Sequence, residues 1–130
     1  MSTIVENEVI EKGKRAKLAS FTMNTKTTAE KNEALLAVAD QLIADQAVII
    51  EENKKDLHDG KESGLPTSTL DRIMLNEERI QAMSAAIRLL VELPDPVGEV
   101  LEDITKENDL KILKKRVPLG VIGMIYEARD

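Results

Sequence analysis

Residues 117–126 read Val-Pro-Leu-Gly-Val-Ile-Gly-Met-Ile-Tyr, and this stretch decides the fold class. From Gly120 onward it is a continuous apolar run, which is typical of a strand buried on both faces of a parallel sheet. Parallel strands are joined by crossovers of about a dozen residues or more. Only four residues follow Tyr126. We therefore expect a sheet strand here, within a sheet that this chain does not complete.

A β-hairpin is predicted immediately upstream of that stretch. The segments 97–104 and 110–119 are rich in β-branched residues, and the polar segment 105–109 separates them. Two such runs around a short polar turn indicate antiparallel strands. In the second run, Leu110 and Ile112 fall on one face, and the other face carries Lys111, Leu113, Lys115 and Val117. The alternation is imperfect, so it leaves the strand register open.

The first four fifths of the chain predict helices. The pattern from Ile4 to Phe21 is weak, partly because Gly13 interrupts it. Thr27 and Glu30 then have the spacing of a capping box. Apolar residues follow at helical spacing, first at Leu35, Val38, Ala39, Leu42 and Ile43, and then at Ala47, Ile50 and Leu57.

Several residues mark helix boundaries in the middle of the chain. Asp45 is a candidate N-cap for a further helix, and Gly60 and Gly64 are candidate terminators. Pro66 breaks the chain before a short helix that Thr67, Ser68 or Thr69 would cap.

The last helix has the clearest signals. Asn76 is expected to cap it, with Glu77 and Glu78 in a first turn where the helix dipole favours acids. Its predicted apolar face carries Ile80, Met83, Ile87, Leu90 and Val91, and Pro94 ends it.

The composition excludes several kinds of site. The chain has 130 residues, no cysteine and one histidine, His58. A disulfide scaffold, a cysteine-ligated zinc, a thiol nucleophile and a multi-histidine metal site are therefore impossible in this chain. Residues 1–14 carry charges where a signal peptide would be apolar. The uncharged run 117–126 is too short to cross a bilayer, so we expect a soluble cytoplasmic protein.

The charge is unevenly distributed. The net charge is −6, yet residues 106–130 hold six basic and four acidic side chains. Their basic cluster, at Lys111, Lys114, Lys115 and Arg116, is not interleaved with aromatic residues, and an acidic chain repels polyanions. We therefore expect a solvated strand face or a protein contact there, and no nucleic-acid or membrane partner.

Other chemistry-bearing side chains have ordinary explanations. His58 lies between Asp56 and Asp59 in a charged stretch, which favours a solvated histidine. Glu51 and Glu52 lie on the polar side of a predicted helix, which favours a water-facing surface over a catalytic carboxylate pair. The scattered methionines are more typical of core filling than of a metal site.

The string from Lys115 to Arg129 resembles the first dinucleotide-fold strand of gamma-glutamyl phosphate reductase, also called glutamate-5-semialdehyde dehydrogenase. Upstream fragments occur in the same order as in that family: Glu30-Lys31-Asn32, Gly64-Leu65, Leu70-Asp71-Arg72 and Asp95-Pro96-Val97-Gly98. The resemblance begins at about Ala16, and its C-terminal string is by far the most specific part.

The resemblance implies an α/β fragment of an aldehyde-dehydrogenase-like protein. Residues 1–97 would be the helical N-terminal part of the cofactor-binding domain, 98–118 an oligomerisation hairpin, and 119–130 the first Rossmann-like strand. The family reduces L-glutamate 5-phosphate with NADPH and releases phosphate, a step of proline biosynthesis. A cysteine thiolate attacks the acyl phosphate, and the thioester then accepts hydride.

By the same resemblance, residues 126–129 begin the loop at the carboxyl end of the strand, where ligands bind in open α/β sheets. The implied cofactor-binding residues are Tyr126, Glu127, Ala128 and Arg129. The family continues with Pro-Asn, but here Asp130 takes the place of the Pro. Because the cysteine is also absent, the sequence predicts a truncated relative that is inactive by itself and has no catalytic residue of its own.

Two other interpretations stay open. One is a non-enzymatic module of small helices that pairs with another chain through the edge of its hairpin. The other is a fragment that associates with a separately made remainder of the reductase.

Overall fold

The computed structural model describes residues 3–125 of the chain. The helices are α1 (Thr3–Met23), α2 (Thr28–Ala44), α3 (Gln46–Glu62), α4 (Thr67–Ile73) and α5 (Glu77–Glu92). The strands β1 (Val100–Thr105) and β2 (Lys111–Lys115) form an antiparallel hairpin. The predicted fold, mostly helical with a β-hairpin after it, is confirmed.

The described chain divides into two units. One unit contains α1 and the hairpin, and the other is built on Ala29–Leu93, which carries the rest of the helices. The expected boundary between residues 97 and 98 falls in the connection between α5 and β1.

The core of the helical unit is small and contains few large side chains. Ala39 and Ile80 are fully buried, and Ser84 is almost so. The Ser84 hydroxyl donates to the carbonyl oxygen of Ala39 at 2.9 Å, which joins α5 to α2. Arg88 of α5 also forms an ion pair with Asp40 of α2, and both side chains are exposed.

The buried face of α5 differs from the predicted apolar face. The buried positions are Ile80 and Ser84, and Ile87 and Val91 are half-buried. Met83 and Leu90, which the apolar pattern assigned to the same face, are 44% and 50% exposed. The predicted face was therefore wrong at these two residues, and it missed Ser84, which can be buried because its hydroxyl has a backbone acceptor.

Asn53 on α3 is the polar centre of the helical unit. Its side-chain amide donates to the carbonyl oxygen of Ile73 at 2.8 Å, and its Oδ1 accepts the backbone N–H of Leu75 at 2.7 Å. Ile73 is the last residue of α4, and Leu75 lies in the connection between α4 and α5. Asn53 is only 7% exposed, so these bonds are protected from water. One side chain therefore holds the non-helical connection against α3.

The start of α5 completes this connection. Asn76 caps the helix as predicted, because its Oδ1 accepts the backbone N–H of Arg79 at 2.8 Å. The Arg79 guanidinium donates to the carbonyl oxygen of Met74 at 2.8 Å and also to that of Asp71. The carbonyls exposed at the end of α4 are thereby satisfied by a side chain of the next helix.

The end of α3 depends on two glycines with different roles. The N–H of Leu65 bonds to the carbonyl of Gly60 at 3.0 Å, and that of Gly64 to Lys61 at 3.1 Å. This is a Schellman motif with Gly64, at φ +80°, in its left-handed position, so the predicted terminator Gly64 is confirmed. Gly60 instead lies within the helix, where it is buried beneath Leu65 and Leu70.

Two predicted caps are absent. Asp45 precedes α3 but makes no capping bond, because its carboxylate accepts instead from the Gln41 side chain at 2.8 Å. The residue before α4 is Pro66, which has no side-chain donor or acceptor, and Thr69 is buried inside that helix. Asp45 thus occupies the N-cap position of α3 without capping it, whereas the predicted caps of α4 lie inside the helix.

The apolar stretch 119–125 contains no strand in this structure. The predicted strand is not formed because a strand exists only as part of a hydrogen-bonded ladder, and no described residue pairs with this stretch. Its side chains are largely exposed, with Leu119 at 89% and Met124 at 78%.

We predict that Asn53→Ala destabilises the helical unit by about 1–3 kcal/mol, because it leaves the Ile73 carbonyl and the Leu75 N–H buried without partners. Urea denaturation followed by circular dichroism measures this change. Asn7→Ala, the same substitution at an exposed position of α1, is the control and should change the free energy of unfolding by less than about 0.5 kcal/mol. Equal effects of the two substitutions would contradict the role of Asn53.

Gly60→Val should also destabilise the protein, by about 1–3 kcal/mol, because it overfills the space under Leu65 and Leu70. A Cβ at Gly60 would lie 2.9 Å from Leu65 Cδ1 and 3.0 Å from Leu70 Cδ2. Gly13→Val is the control, since a Cβ at Gly13 meets nothing within 4 Å. Thermal unfolding of the two variants compares them directly, and a Gly60→Val protein as stable as the control would contradict this packing.

On α1, Lys12 donates to the Glu8 carboxylate at 2.6 Å, and this bond and the charge of Lys12 lower the pKa of Glu8 below its usual value. The pair therefore favours the folded helix above the ordinary titration range of a glutamate. That contribution is lost as the pH falls through the lowered pKa. An NMR titration of the Glu8 carboxyl should show a lower midpoint than the same titration in Lys12→Ala. Identical midpoints would show that the pair does not form in solution.

Candidate functional site

The implied cofactor-binding residues Tyr126, Glu127, Ala128 and Arg129 lie outside the described residues. Within the described segment before them, no helix follows Gly120 or Gly123. A phosphate-binding turn of the dinucleotide type requires a helix N-terminus directly after its glycines. The described residues therefore do not themselves form a dinucleotide site, and the hairpin is the feature whose geometry carries most information about function.

The register of the hairpin is now defined. Ile104 lies opposite Ile112, Asp103 opposite Leu113, and Thr105 opposite Lys111. Val100 and Glu102 lie opposite the adjacent residues Lys115 and Lys114, so Leu101 is an extra residue that forms a bulge in β1. The register that the sequence left open therefore contains a bulge in its first strand.

A short turn closes the hairpin. The N–H of Lys106 bonds to the carbonyl of Leu110 at 2.8 Å, and that of Asp109 to the carbonyl of Lys106 at 3.0 Å. Asp109 has φ +63°, a conformation that aspartate tolerates better than most residues. The turn lies within the polar segment 105–109 where the sequence predicted it.

The open end of the hairpin is fixed by the segment Asp95-Pro96-Val97-Gly98. The Asp95 carboxylate accepts the Thr28 hydroxyl at 2.9 Å and the Val97 N–H at 3.0 Å. Gly98, at φ +87°, then turns the chain so that its N–H reaches the Arg116 carbonyl at 2.9 Å. The resemblance alone drew attention to this fragment in the sequence, although its aspartate before a proline is a turn signal by itself.

Charge is segregated between the two strands. Glu102 and Asp103 lie on β1, with Glu99 just before it, whereas β2 and the next residue carry Lys111, Lys114, Lys115 and Arg116. Glu102 lies opposite Lys114, and Arg116 forms an ion pair with Glu99 at 3.2 Å. The basic cluster is thus part of a strand, as expected, and it lies beside an acidic one.

Every residue of both strands is exposed. The apolar ones, Val100, Leu101, Ile104, Ile112 and Leu113, are each 42–47% exposed. An isolated two-stranded hairpin is marginally stable in water. A hairpin with apolar side chains and no covering layer among the described residues is therefore a surface suited to a partner.

The described residues contain no enclosed substrate pocket at this hairpin. A depression of about 580 Å³ at the turn is open to solvent and lined by Lys106, Glu107, Asn108 and Leu110. Sites for small molecules are usually concave and mostly apolar. This depression therefore does not have the character of an active site.

The remaining candidate residues lie where the sequence predicted. His58, Glu51, Glu52 and Asp56 are exposed on α3, and Glu51 and Glu52 form ion pairs with lysines of the same helix. No group of three or more metal-ligating side chains occurs in the part of the chain that the structure describes. None of the helices described within residues 3–125 is long and apolar enough to span a membrane.

Comparison with known proteins shows which proteins this chain is similar to. Over 123 residues, 95% of its length, it is 55% identical to gamma-glutamyl phosphate reductase from Bacillus anthracis and to that from Bacillus thuringiensis. The chain is homologous to the gamma-glutamyl phosphate reductases. It spans 30% of the length of these curated relatives. No model of a protein family matches it.

Solved structures of gamma-glutamyl phosphate reductases have the same fold in this region. The Thermotoga maritima protein is 37% identical and has a TM-score of 0.84, over 85% of this chain and 27% of that one. The Saccharomyces cerevisiae protein is 32% identical and has a TM-score of 0.70, over 77% of this chain and 26% of that one. The resemblance to this family that the sequence analysis stated is therefore confirmed over the region compared.

Proposed function

We propose that this chain supplies part of a gamma-glutamyl phosphate reductase. In the complete enzyme, L-glutamate 5-phosphate would be reduced to L-glutamate 5-semialdehyde with release of phosphate, a step of proline biosynthesis. The observation that carries the proposal is the 55% identity over 95% of the chain to proteins of that name. An assignment to amino-acid biosynthesis also favours the cytoplasm as its location.

The described residues supply the scaffold of this function and not its chemistry. The family's covalent step requires a thiolate nucleophile, and this chain contains no cysteine. Loss of a nucleophile removes the covalent intermediate itself, whereas loss of one binding contact only weakens the enzyme. We propose that residues 1–130 alone are inactive and that the remainder of the reductase supplies the missing groups.

NADPH is the proposed cofactor, and when bound it would supply the hydride. The residues proposed to lie against it are Tyr126, Glu127, Ala128 and Arg129, which directly follow the apolar stretch 119–125. The support for this placement is the family resemblance and the rule that ligands bind at the carboxyl ends of the strands in such sheets. The described residues provide no further support for this placement.

We also propose that the hairpin, within 98–118, is an oligomerisation element between copies of the protein. Residues 1–97 would then be the helical part of the cofactor-binding domain, and 119–130 its first strand. The exposure of every residue in β1 and β2 supports a role in assembly. A second candidate function, a non-enzymatic module that pairs with a different protein through the same hairpin edge, is favoured by that exposure alone.

A graft tests the reductase proposal. We expect a Bacillus anthracis reductase whose corresponding segment is replaced by this chain to keep its kcat/KM within about tenfold, a loss below about 1.4 kcal/mol. The measurement is the fall in NADPH absorbance with L-glutamate 5-phosphate. The unaltered Bacillus enzyme is the positive control, and the same enzyme without the segment is the negative control.

The chain alone, in the same assay, should not consume NADPH above the buffer blank. An inactive but folded graft would contradict the reductase proposal and favour the non-enzymatic module. Turnover by residues 1–130 alone would contradict the requirement for a thiolate outside this segment.

A further inference from the structure

Helix α5 has more apolar surface than the helical unit covers. Its covered face consists of residues at helical spacing that are buried or half-buried: Ile80, Ser84, Ile87 and Val91. Apolar residues continue beyond this face around the helix. A helix that is apolar over most of its circumference is typical of the interior of a larger protein, where it packs on more than one side.

The additional apolar residues form a second stripe, here called the outer stripe: Ala82, Met83, Ala86, Leu89 and Leu90. Steps of three and four residues join its members, so they share one side of the helix. All of them are exposed, and the three large side chains are between 44% and 62% exposed. Exposed apolar residues are ordinary when they occur singly, whereas a contiguous patch of them marks a binding surface.

The border of the outer stripe favours a protein as its occupant. Glu78 lies four residues before Ala82, and Glu92 lies three residues after Leu89, so both exposed carboxylates flank the stripe. An apolar centre with a charged, water-accessible border is the usual arrangement of a protein contact. A helix that lies in a lipid surface has lysine and arginine on its polar face instead.

The relatives of this chain indicate which polypeptide is available to cover the stripe. The chain spans 30% of the length of the reductases to which it is 55% identical. Most of a complete reductase therefore lies outside this segment. Because a helix in a folded domain buries its apolar face against another layer, that remaining polypeptide is the natural cover for a second apolar face.

We propose that the outer stripe of α5 is the docking surface for the part of the reductase outside this segment. An apolar surface of that part would cover Met83, Leu89 and Leu90 in the complete enzyme. The inference rests on the proposed function, since the occupant is the remainder of the same enzyme. It adds that α5 is the helix of this unit that is buried on two sides.

Cysteine labelling tests this directly, because the chain contains no cysteine of its own. Leu89→Cys places a thiol in the outer stripe, and Gln81→Cys places one at an exposed position of α5 outside it. In the 130-residue chain, the two thiols should react with iodoacetamide at rates within about threefold of each other, since both positions are exposed. In the graft into the Bacillus anthracis reductase, Leu89→Cys should react about tenfold or more slowly than Gln81→Cys.

Mass spectrometry of the labelled α5 peptide separates these thiols from cysteines of the host enzyme. Ala86→Cys is a smaller change within the stripe and should be protected to the same extent, which excludes an effect of removing the Leu89 side chain. Should the graft fail to fold, the same substitutions at the aligned positions of the Bacillus anthracis enzyme make the comparison in a natural host.

Equal labelling of Leu89→Cys in the chain and in the complete enzyme would overturn the proposal. So would slow labelling of Leu89→Cys in a concentrated solution of the chain alone, because a second copy would then be the occupant. Labelling requires no turnover, so its result is independent of the reductase assay. A folded graft that protects Leu89→Cys but does not consume NADPH would count against the proposed function and not against the docking surface.

Discussion

The helical part of this protein depends on the side-chain amide of Asn53. A carboxamide has both a donor and an acceptor, and here they are used two residues apart, on the Ile73 carbonyl and the Leu75 N–H. The bonded segment runs from the last residue of α4 into the connection between α4 and α5, where backbone groups lack helical partners. Because Asn53 is buried, water cannot replace either bond. This contact holds against α3 the segment that leads into α5.

Small residues determine the rest of the packing. Gly60 lets Leu65 and Leu70 lie directly on α3, and Ser84 fits against α2 by donating to the Ala39 carbonyl. Large apolar side chains are fully buried only at Ile80 among the described residues. The helices are therefore held by close backbone approach and by buried hydrogen bonds. The hairpin and the stretch 119–125, in contrast, expose many of the apolar side chains that a core would normally contain. This contrast supports the proposal that they are covered by the rest of the reductase or by another copy of the protein.

The sequence predicted those features that arise from local interactions. The five helices, the hairpin, the Asn76 cap and the Gly64 terminator follow from periodicity, from turn residues and from capping chemistry, all of which act within a few positions. The absent caps before α3 and α4 were local errors, and the other errors came from long-range interactions. Ser84 and Asn53 look like solvent-facing residues in the pattern, and only their distant backbone partners place them in the core. The bulge at Leu101 depends on the register between two strands, which neither strand specifies alone. The site residues 126–129 and the domain boundaries stay predictions, since their support is the family resemblance.

Hydrogen exchange of the Leu75 backbone amide, read by NMR on the 130-residue chain, tests the account most directly. This N–H lies outside any helix, so only its bond to Asn53 can slow its exchange. The account predicts protection comparable to that of the buried amides of α3 and α5, while the amides of residues 119–125 exchange freely. Rapid exchange at Leu75, with α3 and α5 still protected, would show that the helices are held together without Asn53 and would contradict the account.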